Sequence, residues 1–328
     1  MLTPPYARVD VEVVAVSLAP VQAFSSAQSP LAEIPLCVWR KLGKSFEFRG
    51  RTIRYWVAGQ GEPLLLIHGF PTASWDWHYL WQPLTQHYQV IACDMLGFGD
   101  SAKPRDHVYS LLEQADLQQA LLAEVGVNRP VHVLAHDYGD SVAQELLARH
   151  YERRFDMASC VFLNGGLFPE THRPVLMQRL LLSPLGWMVG RAFSRDALVK
   201  SFRRIFGPAT QPSESALDDF WSLIACNQGP RVLHRLIGYI PERIKQRERW
   251  VAAMQKGEVP LRVIDGEVDP VSGAHMVRRY CELIGNPDVV LLPTIGHYPQ
   301  TEAPVLVLKH YFAFRRRLAL PARRVAYR

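Results

Sequence analysis

Three residues of this sequence carry side chains suited to covalent catalysis: Asp137, Asp269 and His297. Each sits just past a run that reads as a buried strand. Val131-His132-Val133-Leu134-Ala135-His136 is rich in β-branched and apolar residues and is opened by Pro130. Val142 to Arg149 holds helix formers with apolar residues on one face. Asp137 lies between these runs, with small Ala135 and Gly139 two positions to either side. Only small neighbours fit a bend that turns a strand into a helix and pushes one side chain into the open. A carboxylate there is ionised at neutral pH, since its reference pKa is about 4. It attacks a saturated carbon bearing a leaving group without a base to activate it, and leaves an ester on Asp137. His297, oriented by Asp269, then takes a proton from the water that attacks the ester carbonyl. A serine at the bend would attack acyl carbons instead, but the nearest, Ser141, falls in the following helix. Singly these residues say little, because strand-end aspartates usually serve as turns or helix caps and the chain has 12 histidines. Their order and their strand-end positions together make the signal.

Such positions require a sheet whose strands end at one edge. Ser45–Phe48 and Thr52–Val57 alternate around Arg49-Gly50-Arg51 as a hairpin. Pro63–His68 is a continuous apolar run, the mark of a strand buried on both faces, and Gly69-Phe70-Pro71-Thr72 follows it. Next comes a predicted helix carrying Trp75, Trp77, Leu80 and Trp81, then a strand over Gln89–Cys93 that ends at the Asp94–Ser101 turn. Leu111–Val125 reads as a helix and Ala158–Leu163 as a strand. The alternation predicts a mostly parallel sheet covered on both sides. From about Leu167 to Pro260 it stops, and the text is helical with repeated Pro and Arg. Leu176, Leu180, Leu181, Leu185, Met188 and Val189 share a helical face there, expected to pack against core or a domain interface rather than lipid. Leu261–Gly266 and Val289–Pro293 resume the strands, and a last helix is predicted from Glu302 to Arg317. The division that follows is a core over 39–166 and 261–328, a helical insertion over 167–260, and a poorly ordered extension over 1–38.

Length and composition agree with one large domain carrying an insertion: 328 residues, 48% apolar and 21% charged. The net charge of +6 is densest in the tail, at Arg315, Arg316, Arg317, Arg323 and Arg324. These read as a solvated helix end rather than a nucleic-acid surface, with Tyr311, Phe312 and Phe314 as the helix's buried face. Five scattered cysteines without a Cys-x-x-Cys pair suit a reducing, cytoplasmic compartment and argue against a structural zinc site. No apolar run reaches the ~20 residues of a membrane span. The first ~38 residues carry Asp10, Glu12 and Glu33 with little positive charge before them, a poor match to a signal peptide.

His68-Gly69-Phe70-Pro71, the Asp94–Ser101 turn, His136-Asp137-Tyr138-Gly139 and Gly296-His297 resemble the epoxide hydrolase and haloalkane dehalogenase branch of the α/β-hydrolase superfamily. Nucleophile, acid and histidine follow one another in that chain order in this superfamily. Three segments are similar to the mesoderm-specific transcript proteins: His136 to Asp140, Phe168-Pro169-Glu170-Thr171-His172-Arg173-Pro174, and His297-Tyr298-Pro299-Gln300. The likeness runs from about Trp39 to the last helix. It implies an α/β-hydrolase fold with a mostly parallel eight-stranded sheet, and a helical cap formed by the insertion. It also implies an oxyanion hole built from the backbone N–H groups of Phe70 and Tyr138.

The leaving group is less constrained. Relatives that remove halide resemble one another in using Trp after the nucleophile and often Asn before the Pro; Tyr138 and Phe70 stand at those positions here. Relatives that open epoxides use two cap tyrosines as acids, and the insertion holds Tyr239 alone. Trp187, Trp221 and His172 are further insertion residues expected to line the pocket. The expectation is a hydrolase needing no cofactor or metal, which forms an alkyl ester at Asp137 from an epoxide of a small apolar molecule. The alternatives are dehalogenation, and a non-catalytic or membrane-associated ligand-binding protein on the same scaffold.

Overall fold

The computed structural model describes residues 31–319. Eight strands form one sheet: β1 Lys44–Phe48, β2 Arg51–Ala58, β3 Glu62–Ile67, β4 Tyr88–Cys93, β5 Val131–His136, β6 Met157–Leu163, β7 Leu261–Gly266 and β8 Val289–Leu292. Their spatial order is β1-β2-β4-β3-β5-β6-β7-β8. The hairpin β1–β2 and the β2–β4 pair are antiparallel, and every other pair is parallel. Central β3 sets Leu65 opposite Ile91 on one side and Val133 on the other. All three are fully buried, as unbroken apolar strands demand when helices cover both faces.

The helices are α1 Leu36–Leu42, α2 Trp81–Thr85, α3 Leu111–Glu124, α4 Tyr138–Tyr151, α5 Leu176–Leu182, α6 Gly186–Arg191 and α7 Arg195–Ile205. They continue with α8 Glu214–Ala225, α9 Leu233–Leu236, α10 Tyr239–Gln255, α11 Ala274–Leu283, α12 Pro299–Glu302 and α13 Pro304–Ala319. Between β6 and β7 only helices occur, as the sequence suggests. Long α10 lies on α4, so α4 is buried on every side from Tyr138 to Arg149. Glu145 anchors the contact: one carboxylate oxygen accepts from Arg149 Nε at 2.8 Å, the other from Trp250 Nε1 at 2.9 Å and from Arg249. Lys103 makes a second tie, its ammonium donating to the carbonyls of Gly99, Leu223 and Cys226 at 2.6, 3.2 and 2.6 Å.

Four expectations need correction. The boundary at residue 38 falls inside α1, and residues 31–38 belong to the folded body. Ile34 and Leu36 are buried, and Trp75 Nε1 donates to the Ile34 carbonyl at 2.9 Å. Residues 1–30 lie outside the described residues, as do Arg323 and Arg324. The tryptophan-rich helix is instead a single 3₁₀ turn over Ser74–Trp77 followed by short α2. Asp94 captures both the N–H and the hydroxyl of Ser74, at 2.9 and 2.6 Å, which pins the chain in a turn. The last helix is broken at Ala303 (φ −141°, ψ 53°), because the residue before Pro304 is driven out of helical geometry. Finally, Leu176, Leu180, Leu185 and Met188 face solvent rather than core; of the expected face, Leu181 is buried and Val189 partly so. The tail does follow expectation: Tyr311 and Phe314 are buried, Arg315 pairs with Glu62 and Arg317 with Asp288. Among the described residues no helix is long and apolar enough to cross a membrane.

Candidate active site

β5 runs into α4 at Asp137, whose backbone has φ 47° and ψ −105°. A non-glycine residue rarely occupies this left-handed region, and it stays there only where its surroundings over-determine it. They do so here. Gly139 packs so tightly that an added Cβ would lie 2.3 Å from the Ile67 carbonyl oxygen. At Gly69 a Cβ would come within 2.7 Å of His136 Nδ1 and 3.0 Å of Asp137 Cβ. The bend therefore needs the two glycines that bracket it in space.

The Asp137 carboxylate is buried. Its Oδ2 accepts the Phe70 N–H at 3.0 Å. Its Oδ1 lies 3.9 Å from His297 Nε2 and 3.7 Å from Arg243 Nη2. Burial by itself would raise the pKa, but the positive charges of His297 and Arg243, the nearby His136 and the Phe70 N–H outweigh it. The group is held below the usual carboxylate range. Tyr138 opens α4, where the first N–H groups have no partner within the helix.

His297 follows β8, and its Nδ1–H donates to Asp269 Oδ2 at 2.7 Å. Asp269 follows β7 and is saturated with donors. Oδ1 accepts from Val271 N at 2.8 Å, while Oδ2 accepts from Ser272 N, Ser272 Oγ and Asn164 Nδ2 at 3.1, 2.9 and 3.0 Å. Burial pushes its pKa up, yet His297 and these donors bring it below the ordinary value. Burial acts on His297 in the opposite sense, but two flanking carboxylates prevail and raise it to about 9. At neutral pH the resting site is a carboxylate–imidazolium–carboxylate row.

Beside these residues lies a largely apolar cavity. Phe70, Pro71 and His297 form its floor, and Met177, Gln178, Leu181, Phe193 and Phe202 are among the insertion residues in its wall. Tyr239 is buried with its ring 5.8 Å from Phe70 and 5.1 Å from Tyr138. Its hydroxyl accepts from Gln178 Nε2 at 3.1 Å, and burial raises its pKa, so it remains a phenol. His172 lies close to Arg243 and Gly166, with both ring nitrogens buried and unpartnered and its pKa lowered by burial to about 4. Trp221 is half-buried, its ring 6.0 Å from that of Phe193. None of these four insertion residues is in the wall of this cavity, against expectation, and Trp187 is 50% exposed on the outside of α6. Of the four insertion candidates, Tyr239 approaches the Asp137 bend most directly.

Several site residues are not among those that the sequence singles out. Arg243 is 1% exposed. Its Nε donates to Ser141 Oγ at 2.6 Å and its Nη2 to the Asp137 carbonyl at 3.0 Å, with the guanidinium 4.5 Å from the Tyr239 ring centre. In a run as charged as Glu242–Arg249 it looks like any solvated helix arginine. Asn164 follows β6, also at positive φ, and accepts Gly266 N–H at 2.8 Å while donating to Asp269. It carries the strand-end signature by which Asp137 and Asp269 are recognisable. His136 donates from Nε2 to the His297 carbonyl at 2.7 Å, holding that residue's backbone, and burial lowers its pKa to about 3.

Sheet order, strained bend and strand-end placement together define a class, and the chain belongs to the alpha/beta hydrolase family, whose sequence profile matches residues 64–309. Within it the chain is similar to the mesoderm-specific transcript homolog protein of Homo sapiens, 42% identical over 292 residues that span 84% of this chain and 86% of that protein. It is likewise 42% identical, over 248 residues, to the putative hydrolase LipZ of Mycobacterium tuberculosis, covering 75% of this chain and 85% of LipZ. The fold superposes on haloalkane dehalogenase DbeA from Bradyrhizobium elkani with TM-score 0.71 at 21% identity, over 84% of this chain and 98% of that one.

Proposed function

We propose that this chain hydrolyses a small apolar epoxide through an alkyl ester on Asp137, with residues 167–260 serving as the cap. The observation that carries this reading is the split in the Asp137 carboxylate: Oδ2 is held by the Phe70 N–H, while Oδ1 has no donor within hydrogen-bond distance and lies 3.7 Å from Arg243 Nη2 and 3.9 Å from His297 Nε2. Oδ1 is the attacking atom. It displaces the ring oxygen from a saturated carbon, and Tyr239, already accepting from Gln178, gives its phenolic proton to that oxygen. Oδ2 becomes the carbonyl oxygen of the ester.

Esterification removes the negative charge 3.9 Å from His297. The imidazolium loses one of the two charges that raise its pKa, releases a proton that balances the Tyr239 phenolate, and becomes a competent base. It then takes a proton from water, which attacks Cγ of the ester. The oxyanion forms on Oδ2, where Phe70 already donates and Tyr138 N–H is near. Collapse expels the alcohol, which takes the proton back from His297. The sum is epoxide plus water giving a diol, without cofactor. The five free cysteines are in keeping with a cytoplasmic setting.

The test is a panel of epoxides, bromoalkanes and esters assayed with wild type, His297→Gln and Asp137→Asn. Epoxide turnover by wild type and a stable mass gain equal to the epoxide in His297→Gln alone are expected. Halide release would transfer the same chemistry to dehalogenation, whereas no adduct with any electrophile would sink the ester.

A further inference from the structure

The outside of the insertion leaves a surface that the reaction does not use. Leu176, Leu180, Leu182, Leu185, Trp187 and Met188 are each between 40% and 60% exposed. They lie within thirteen consecutive residues and make up six of the thirteen large apolar side chains exposed among the described residues. Scattered exposed leucines need no explanation, but a cluster of this density marks an interaction surface. Leu176 and Leu180 share one face of α5, and α6, packed against α5, adds Trp187 and Met188.

The charges carried by this stretch of the chain are of one sign. Between Glu170 and Asp196 the chain has no acidic residue, while Arg173, Arg179 and Arg191 are exposed. No carboxylate among the described residues pairs with any of these three. The elements packed on α6, residues 226–231 and α9, also lack acidic residues and add Arg231 and Arg235, the latter 3.6 Å from Asp106. Short helices with leucine, methionine and tryptophan on the outside and arginines at the border suit the boundary between headgroups and acyl chains. There the tryptophan ring spans the boundary and long arginine stems reach up to phosphates.

We propose that the outer face of α5 and α6 docks on an anionic lipid bilayer, with Leu180, Leu185, Trp187 and Met188 entering the acyl boundary and Arg179 and Arg191 meeting headgroup phosphates. The docking stands independently of the reaction above. Its consequence for catalysis does rest on that reading. The inner side of the same helix supplies Met177, Gln178 and Leu181 to the cavity wall, so docking would set the pocket beside the lipid from which an apolar substrate partitions.

The full chain is tested by sedimentation with vesicles of phosphatidylcholine, with and without phosphatidylglycerol, in the absence of substrate. Binding to the anionic vesicles is expected to be at least about tenfold the tighter, and to weaken as salt is added. Trp187 is the one exposed tryptophan of eight, so acyl-brominated lipid should quench emission in wild type and not in Trp187→Phe. Leu180→Glu with Leu185→Glu should abolish sedimentation while circular dichroism and melting temperature stay unchanged. Arg179→Gln with Arg191→Gln should remove the preference for phosphatidylglycerol. Failure to bind either vesicle, or binding untouched by the glutamate pair, overturns the proposal. So does a lipid-free dimer, seen by light scattering, that the glutamate pair splits into monomers, because the face would then be covered by a second copy of the chain.

Discussion

The carboxyl edge of the sheet and the α5–α6 surface obey opposite packing rules within one molecule. At the edge, Asp269 receives five hydrogen bonds and two glycines leave no space for a Cβ around the bend. At α5 and α6, apolar side chains stand in water and the arginines have no carboxylate partner among the described residues. Atoms that must be held to a fraction of an ångström are built on strand ends locked by backbone pairing. The surface that meets the outside stays loosely specified and is shaped by side chains alone. A buried, donor-rich site tolerates little change, and an exposed helix pair tolerates much.

The contrast can be broken most severely at Asp137. Asp137→Asn keeps an acceptor for the Phe70 N–H but loses the attacking charge. Turnover should fall by about 10⁴-fold or more with the fold intact, as read by kcat and circular dichroism. Tyr239→Phe removes only the proton donor, so kcat on epoxides should drop about 10²-fold or more. Its rate of alkylation by bromoalkanes should change little, since bromide leaves without a proton; equal losses on both would place Tyr239 outside the ring-opening step.

Arg243→Gln tests whether a residue of the insertion tunes the sheet edge. Arg243 helps depress the Asp137 pKa, and its loss raises that pKa. The ionised form then disappears at a higher pH on acidification, so the acid limb of the kcat/KM profile should move upward. Depleting the donors to the Asp137 carbonyl and the Ser141 hydroxyl should cost about 1–3 kcal/mol of stability by denaturant titration. The smallest effect marks the other side of the comparison. Leu185→Ala on the exposed surface should change stability by no more than about 0.5 kcal/mol, whereas Leu181→Ala, buried four residues earlier, should cost about 2–5 kcal/mol.

Much of this was legible in the order of residues. Apolar runs long enough to be strands, three of them followed within a few residues by Asp137, Asp269 or His297, are a local pattern, and the alternation with helices dictates a parallel sheet whose ends share an edge. The bend at Asp137 was equally readable, because its demand for small neighbours falls on Ala135 and Gly139, two positions away in the chain. What the chain order could not disclose depends on distance through space. Arg243 and Asn164 act on residues 106 and 105 positions away; nothing near Arg243 in sequence distinguishes it from an ordinary helix arginine, and the strand-end position of Asn164 does not reveal its partner. The α5–α6 face shows the same limit in reverse. Helical periodicity aligns its leucines but carries no information on what lies opposite, and only the packed structure decided that Leu181 meets protein while Leu176, Leu180 and Leu185 meet solvent.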